Sequence, residues 1–285
     1  MKYKFLFLPV ILFLFLNCGV NRQTAKNHNM DLPNMVQISA DLFCDRTEVS
    51  NIDWREYVHW NKRIFGLNSR EYLESFPDTL VWLGIDSSLV DLVTKYYRAK
   101  EYDEYPVVGI SQNQAKQYSK WRSDRVFEMI LIKYYGYKVI KNQNRENYFS
   151  IDRFLENSLD SFPYTKEVMY IPDFHLPDIS ERKLILNYLY DNNKSNSENI
   201  HYSGLDSKKI EKYGMVIRKS ISKSKSKKIV DLQGNVSEWS EIDSLSFGGS
   251  WINTIEEITT KDEYYQSLPS AWTGFRNVGK WIKVN

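Results

Sequence analysis

The period of apolar and polar positions changes several times along the 285-residue chain. Val36, Ile38, Ala40, Leu42 and Cys44 fall at every second position, which predicts a half-buried strand over 36–44. Ser50-Asn51-Ile52-Asp53 then sets a hydroxyl three residues ahead of an acid, a capping box with Asp in place of Glu. Trp54, Tyr57, Val58 and Ile64 follow at helical spacing, so an amphipathic helix is predicted over 50–65. The same succession returns twice. Val107-Val108-Gly109-Ile110 leads into the capping box Ser111-Gln112-Asn113-Gln114, with Ala115, Tyr118, Trp121 and Arg122 along one helical face. Later, a strand over 168–171 leads through Pro172 and Pro177 into Asp178-Ile179-Ser180-Glu181, and Leu184, Ile185, Tyr188 and Leu189 continue a helix. The polar stretches 142–147 and 191–199 read as loops. The basic, Ser-rich run 220–228 is a solvated hairpin or loop before it is an anion site. From 229 onward, short apolar pieces separated by Gly and polar residues predict strands and irregular loops rather than helices.

The N-terminus has a different character. Lys2 and Lys4 precede an apolar run over 5–16, broken only by Pro9. That is the length of a signal-peptide core and short for a bilayer span. Phe15-Leu16-Asn17-Cys18 resembles a bacterial lipobox, with Asn17 where Gly or Ala is usual and Phe15 where Leu is usual. The resemblance implies acylation of Cys18. An ordinary cleaved signal peptide and an uncleaved anchor stay open beside it. Acyl chains would hold the chain on a membrane through their buried CH₂ groups. The expected organisation is a lipoprotein signal peptide over 1–18, a polar flexible tether over 19–34, and one domain over 35–285.

Composition narrows the choice of partner. With 38 Lys+Arg against 36 Asp+Glu the net charge is +2, so no basic excess marks a nucleic-acid-coating protein. The 42% hydrophobic content excludes bulk disorder. Two cysteines, Cys18 and Cys44, cannot build a disulfide scaffold or a four-cysteine zinc site.

Four segments carry a resemblance. The first is Phe43-Cys44-Asp45-Arg46-Thr47-Glu48-Val49-Ser50-Asn51. The second is Tyr105-Pro106-Val107-Val108-Gly109-Ile110-Ser111. The third is His175-Leu176-Pro177-Asp178 with Glu181. The fourth is Gly234-Asn235-Val236-Ser237-Glu238-Trp239, then Phe247-Gly248-Gly249-Ser250-Trp251, then Gly274-Phe275-Arg276. In this order they resemble the formylglycine-generating enzyme, or sulfatase-modifying factor, superfamily. The fourth segment is the most specific. The third departs from the pattern, with His175 where Arg is usual and without the usual second acid. The resemblance implies an α/β (α+β), C-type-lectin-like fold with much irregular structure.

The motif residues also have a plain physical reading. Gly234, Gly248 and Gly249 allow backbone angles or close approaches that a Cβ would block. Trp239 and Trp251 are large apolar bodies with one N–H donor each, and Arg276 offers five donors in a fixed fork. Trp239, Trp251, Phe275 and Arg276 are therefore expected to be core residues that define the fold. The stretch from Asp231 to Glu238, with Asn235 inside it, is similar to a calcium-binding stretch of the superfamily. That likeness implies a structural calcium ion held by Asp231, the carbonyls of Gly234 and Val236, and Glu238, with water completing the shell. A Glu238 that bonds the loop without metal is the equal alternative.

Copper is not expected. Aerobic members of the superfamily oxidise a substrate cysteine with a copper-binding cysteine pair located between the segments that match Gly249 and Gly274. In this chain 251–273 holds no cysteine, and Ser or Thr cannot supply the soft thiolate ligand. The four histidines, His28, His59, His175 and His201, lie in separate segments, which gives no sequence sign of the iron-dependent branches.

The expectation is a non-catalytic outer-membrane lipoprotein, periplasmic or surface-facing, resembling lipoproteins of gliding-motility and type IX secretion machinery. It would act as a binding or assembly module for an envelope protein partner. A metal-dependent enzyme with non-cysteine chemistry and a lectin-like glycan binder are the alternatives.

Overall fold

The computed structural model of the chain describes residues 31–85, 89–157, 169–191, 200, 202–203 and 228–284. Cys18 with the expected signal segment, most of the tether, and the runs 192–199 and 220–227 lie outside these residues.

The chain first makes a hairpin. β1 (Met35–Gln37) and β2 (Phe43–Asp45) pair antiparallel, with Val36 opposite Cys44. The single strand expected over 36–44 is thus two strands. The turn is held by the Ile38 and Ser39 N–H groups, which both donate to the Leu42 carbonyl at 2.8 and 3.2 Å. Val36, Ile38, Leu42 and Cys44 still share one apolar cluster, because residues opposite each other in a hairpin point to the same face. Ala40, at the turn, is exposed.

α1 (Asn51–Phe65) starts where the sequence predicts. Ser50 is its N-cap, and the reciprocal capping box with Asp53 is complete. After the short helices α2 (Arg70–Leu73) and α3 (Leu92–Lys95) comes the long helix α4 (Gln112–Tyr135). Its Ser111–Gln114 capping box is also complete, and it ends at Gly136 in the left-handed region. The expected strand over 107–110 is absent. The run turns at Gly109, whose φ is 73°, and apart from one isolated bridge, Ser50 to Pro106, its neighbourhood forms no ladder. α5 (Ile151–Asn157) follows the polar loop.

β3 (Met169–His175) continues past Pro172, where the sequence pattern broke off. Pro172 is tolerated because β3 is an edge strand, where a missing donor costs no ladder bond. α6 (Ile179–Asp191) comes next. β4 (Ser237–Trp239), β5 (Leu245–Phe247), α7 (Ile255–Thr260), β6 (Glu263–Tyr265), β7 (Thr273–Gly274) and β8 (Val278–Val284) complete the described chain. The helix α7 is contrary to expectation. Thr254 caps it in a full capping box with Glu257, a Thr-x-x-Glu signature present in the sequence.

Among the described residues two four-stranded sheets result, one ordered β1-β2-β8-β3 and the other β6-β5-β4-β7. All pairings are antiparallel except β4 with β7. α4 lies against β3 and α1. The largest buried cluster joins α1, α4 and the C-terminal motifs through Trp54, Tyr118, Trp239 and Phe275. Trp54 stacks on Tyr118 with ring centroids 5.4 Å apart, and Phe275 meets both rings edge-on. Among the described residues no helix is long and apolar enough to cross a membrane.

Candidate functional site

The four motif segments, far apart in sequence, converge at the seam between the two sheets. β2 ends in Asp45, whose carboxylate accepts from both terminal nitrogens of Arg122 on α4 at 2.6 and 2.9 Å and from the Asn277 N–H at 3.0 Å. Three residues on, buried Glu48 accepts from Asn235 Nδ2 at 2.9 Å. The first segment is thereby bound to the fourth.

Arg276 is the hub of this seam and is fully buried. Its Nε donates to Glu238 Oε1 at 2.5 Å, one terminal nitrogen to the Asp45 carbonyl at 3.1 Å, and the other to the carbonyls of Val230 and Asp231 at 2.9 and 3.1 Å. The fixed fork of the guanidinium ties two loops and a carboxylate together, as its donor geometry suggested. Trp239 donates its indole N–H to the Ile110 carbonyl at 2.9 Å, and Trp251 donates to Ala271 at 3.2 Å. Each tryptophan pins one loop against the core, as expected. Gly248 and Gly249 have φ of 88° and 65°. A Cβ on Gly248 would run into the Leu232 carbonyl, and one on Gly249 would lie 2.8 Å from Ile258 and Tyr264. Gly274 lets β7 approach the Val107 carbonyl, which a Cβ would meet at 2.7 Å.

A second arginine completes the lattice. Arg182 of α6 is 2% exposed. It donates twice to Asp262, at 2.6 and 2.8 Å, once to the Leu232 carbonyl at 2.6 Å, and more loosely to Glu238 Oε2 at 3.4 Å. Burial opposes its charge, but Asp262 and Glu238 more than restore it, so its pKa rises. Burial likewise disfavours charge on both Glu238 and Arg276, while their contact favours charge on both. With guanidinium groups on both carboxylate oxygens, the ionised pair is the state this geometry supports.

The arrangement does not fit the expected calcium ion. Each oxygen of Glu238 is already directed at a guanidinium, and the carbonyl of Asp231 accepts from Arg276. Two cations of the chain itself stand where a divalent ion would repel them. Among the described residues no group of three or more His, Cys, Asp or Glu is gathered so as to hold a metal. Of the four expected ligands, Asp231 and Glu238 meet Arg276, whereas the Gly234 N–H donates to the Gly248 carbonyl and Val236 packs in the cluster with Trp82 and Trp251. Sequence reasoning missed Arg182 and Asp262. The available signal was an arginine three residues before Ile185, on the apolar face of α6, where a charge needs a buried partner. Leu184, assigned to that face, is exposed.

The third segment forms a smaller ionic cluster at the end of β3. His175 lies between Glu181, 2.9 Å from Nε2, and Asp173, 3.2 Å from Nδ1. Burial would lower its pKa, but the bonds to Asp173 and Glu181 outweigh burial and raise it to about 9. A charged imidazolium therefore takes the place of the usual arginine. Cys44 is fully buried on β2, and burial pushes its thiol up to about 12.

A profile of the sulfatase-modifying factor enzyme 1-like domain matches residues 13–280. No curated protein matches the chain. Among solved structures, the chain is similar to the crystal structure of CarF, with 14% identity, 84% of this chain and 86% of that chain covered, and a TM-score of 0.40. It is similar to Treponema denticola variable protein 1 at 14% identity, with 84% of each chain covered and a TM-score of 0.40. Both likenesses are distant, and nothing about chemistry follows from them.

Proposed function

The chain belongs to the sulfatase-modifying factor enzyme 1-like domain family, and on that premise we propose that it is a non-catalytic binding or assembly module of the cell envelope. A lipid on Cys18 holds it at the outer membrane, and its place is in gliding or type IX secretion machinery. The observation that carries this reading is the fate of the sulfur. Residues 251–273 hold no cysteine. Cys44, the one cysteine among the described residues, is buried and held as a thiol. A thiol that is fully buried and held protonated is not an available nucleophile near neutrality. The motif charges support the same reading, since Glu238, Arg276, Arg182 and Asp262 satisfy one another and hold loops together. The envelope placement is supported by the lipobox-like sequence Phe15-Leu16-Asn17-Cys18 after an apolar N-terminal run.

The test is an oxidation assay. The purified protein, loaded with copper(I) under oxygen, is given a cysteine-containing sulfatase-type peptide, and aldehyde product is measured by mass spectrometry. No aldehyde is expected, and stoichiometric aldehyde formation would overturn the reading.

A further inference from the structure

Beside the His175 cluster, α4, α5, β3 and β8 border a cavity of about 460 Å³, a size that suits a small molecule. Leu155 of α5, Ile171 and Phe174 of β3, and Ile282 of β8 give it a largely apolar wall. Successive turns of α4 bring Lys116, Lys120 and Asp124 to the same cavity, because residues four apart share one helix face.

The charged groups of the wall do not balance. Lys116 pairs with Glu241 at 3.0 Å, Lys120 with Asp152 at 2.6 Å, and the His175 imidazolium with Asp173 at 3.2 Å. Asp124 is the fourth carboxylate of the wall, and it is left without a cation. Only 6% of it is exposed. Its Oδ1 accepts from the Ile151 N–H at 2.7 Å, whereas Oδ2 has no partner among the described residues and is not sealed from the surface. The two cations whose fields reach Asp124 are committed elsewhere, Arg125 to Glu128 and the Phe149 carbonyl, and Lys120 to Asp152. If the exposed Lys120 swung to Asp124, Asp152 would lose its partner instead, so one acid in the wall stays in surplus. Burial raises the Asp124 carboxyl to about 6, and the Ile151 N–H, Arg125 and Lys120 offset only part of that rise. A carboxylate in this condition gains from any cation brought to its open oxygen.

We propose that this cavity binds a small organic amine, its apolar body against Leu155, Ile171 and Ile282 and its ammonium on Asp124 Oδ2. An ammonium supplies both the charge that the wall lacks and a donor for the open oxygen. An anionic ligand would find the lysines and His175 engaged and Asp124 opposing it. A neutral alcohol can donate to the oxygen but leaves its charge uncompensated. A bare metal ion would find too few ligands, since among the described residues no group of three or more His, Cys, Asp or Glu is gathered to hold one. Asp124 also lines a neighbouring depression beside Trp60 and Trp121. There the Arg125 guanidinium covers a face of Trp60 and would repel a second cation, so the ligand's place is on the β3 side. The site stands apart from the arginine-linked seam and does not depend on the module reading.

The experiment titrates the full-length protein in detergent with phenylbutylamine by calorimetry, with the heat of mixing into matched protein-free detergent subtracted. Phenylbutanol and phenylbutyrate are the neutral and anionic counterparts. The amine is expected to bind, the alcohol to bind about tenfold more weakly for want of a charge-assisted bond, and the acid not to bind. Asp124→Asn keeps the acceptor for the Ile151 N–H and removes the charge. It is expected to weaken the amine about tenfold and to leave the alcohol unchanged. Ile282→Trp, at a position of the wall that is 44% exposed, is expected to weaken amine and alcohol alike. If Asp124→Asn does not fold, the comparison of amine with alcohol on the unmodified protein decides, together with Ile282→Trp. No binding at millimolar amine, equal affinity for amine and alcohol, or amine affinity unchanged in folded Asp124→Asn or in Ile282→Trp would each overturn the proposal. Failure here leaves the module reading standing, and aldehyde formation in the oxidation assay leaves this site standing.

Discussion

Arg276 Nε lies 2.5 Å from Glu238 Oε1, with each side chain 1% exposed. The pair joins the first and last pieces of the fourth motif segment, and both partners are shut off from solvent. Removing one member leaves a buried charge without its counter-ion. Glu238→Gln is therefore expected to lower stability by about 3–5 kcal/mol, measured as a change in denaturation midpoint at constant slope. A change within error would mean that the carboxylate is not carrying charge.

Calcium should not matter to the same centre. The melting temperature is expected to be equal in EDTA and in millimolar calcium, because Arg276 and Arg182 already occupy both oxygens of Glu238. A calcium-dependent rise in the unmodified protein, lost in Glu238→Gln, would reinstate an ion at this loop.

His175 gives the fold a pH dependence of definite sign. Its folded pKa is raised from 6.5 to about 9, because the bonds to Asp173 and Glu181 exceed the cost of burial. The resulting stabilisation, roughly 3 kcal/mol, is complete below pH 6.5. It declines as pH rises and is lost above about 9. Urea denaturation across this range should show that decline in the unmodified protein and a flatter profile in His175→Gln. Parallel profiles would show that the imidazole is neutral in the folded chain.

Cys44 should resist alkylation. With its thiol fully buried and pushed up to about 12, iodoacetamide at pH 8 is expected to label it only after unfolding. Rapid labelling of the native protein, read by intact mass, would place this sulfur in reach of solvent.

Cys18→Ser tests the anchor. Loss of palmitate label and release of the protein from the membrane fraction are the expected results. Full retention with unchanged label would show that something other than a lipid on Cys18 holds the protein there.

Much of this arrangement was legible in the residues. Ser50 with Asp53, and Ser111 with Gln114, announced two helix starts, because a cap is a local exchange of hydrogen bonds that needs nothing from the rest of the chain. Trp239 and Arg276 announced a core, because a large ring or a five-donor fork has few uses elsewhere. What failed depended on distance. The alternation over 36–44 specifies a face but not whether the chain runs straight or doubles back to present it. Pro172 reads as a strand end unless it is known that β3 is an edge. The calcium assignment weighed acids close in sequence, while the cations that neutralise Glu238 arrive from 56 residues upstream and 38 residues downstream. The cavity was equally hidden, since Asp124 and Leu155 come to line it together only when α5 packs beside α4.

The position of β8 has a consequence for how the chain matures. It lies between β2 and β3, yet it follows both in order of synthesis. Until Val278–Val284 emerges, those two strands have no common neighbour, and Asp45 lacks its bond from Asn277. The first sheet can therefore close only after the last described strand has been made, and a product cut short before Val278 would leave β2 and β3 without the strand that joins them.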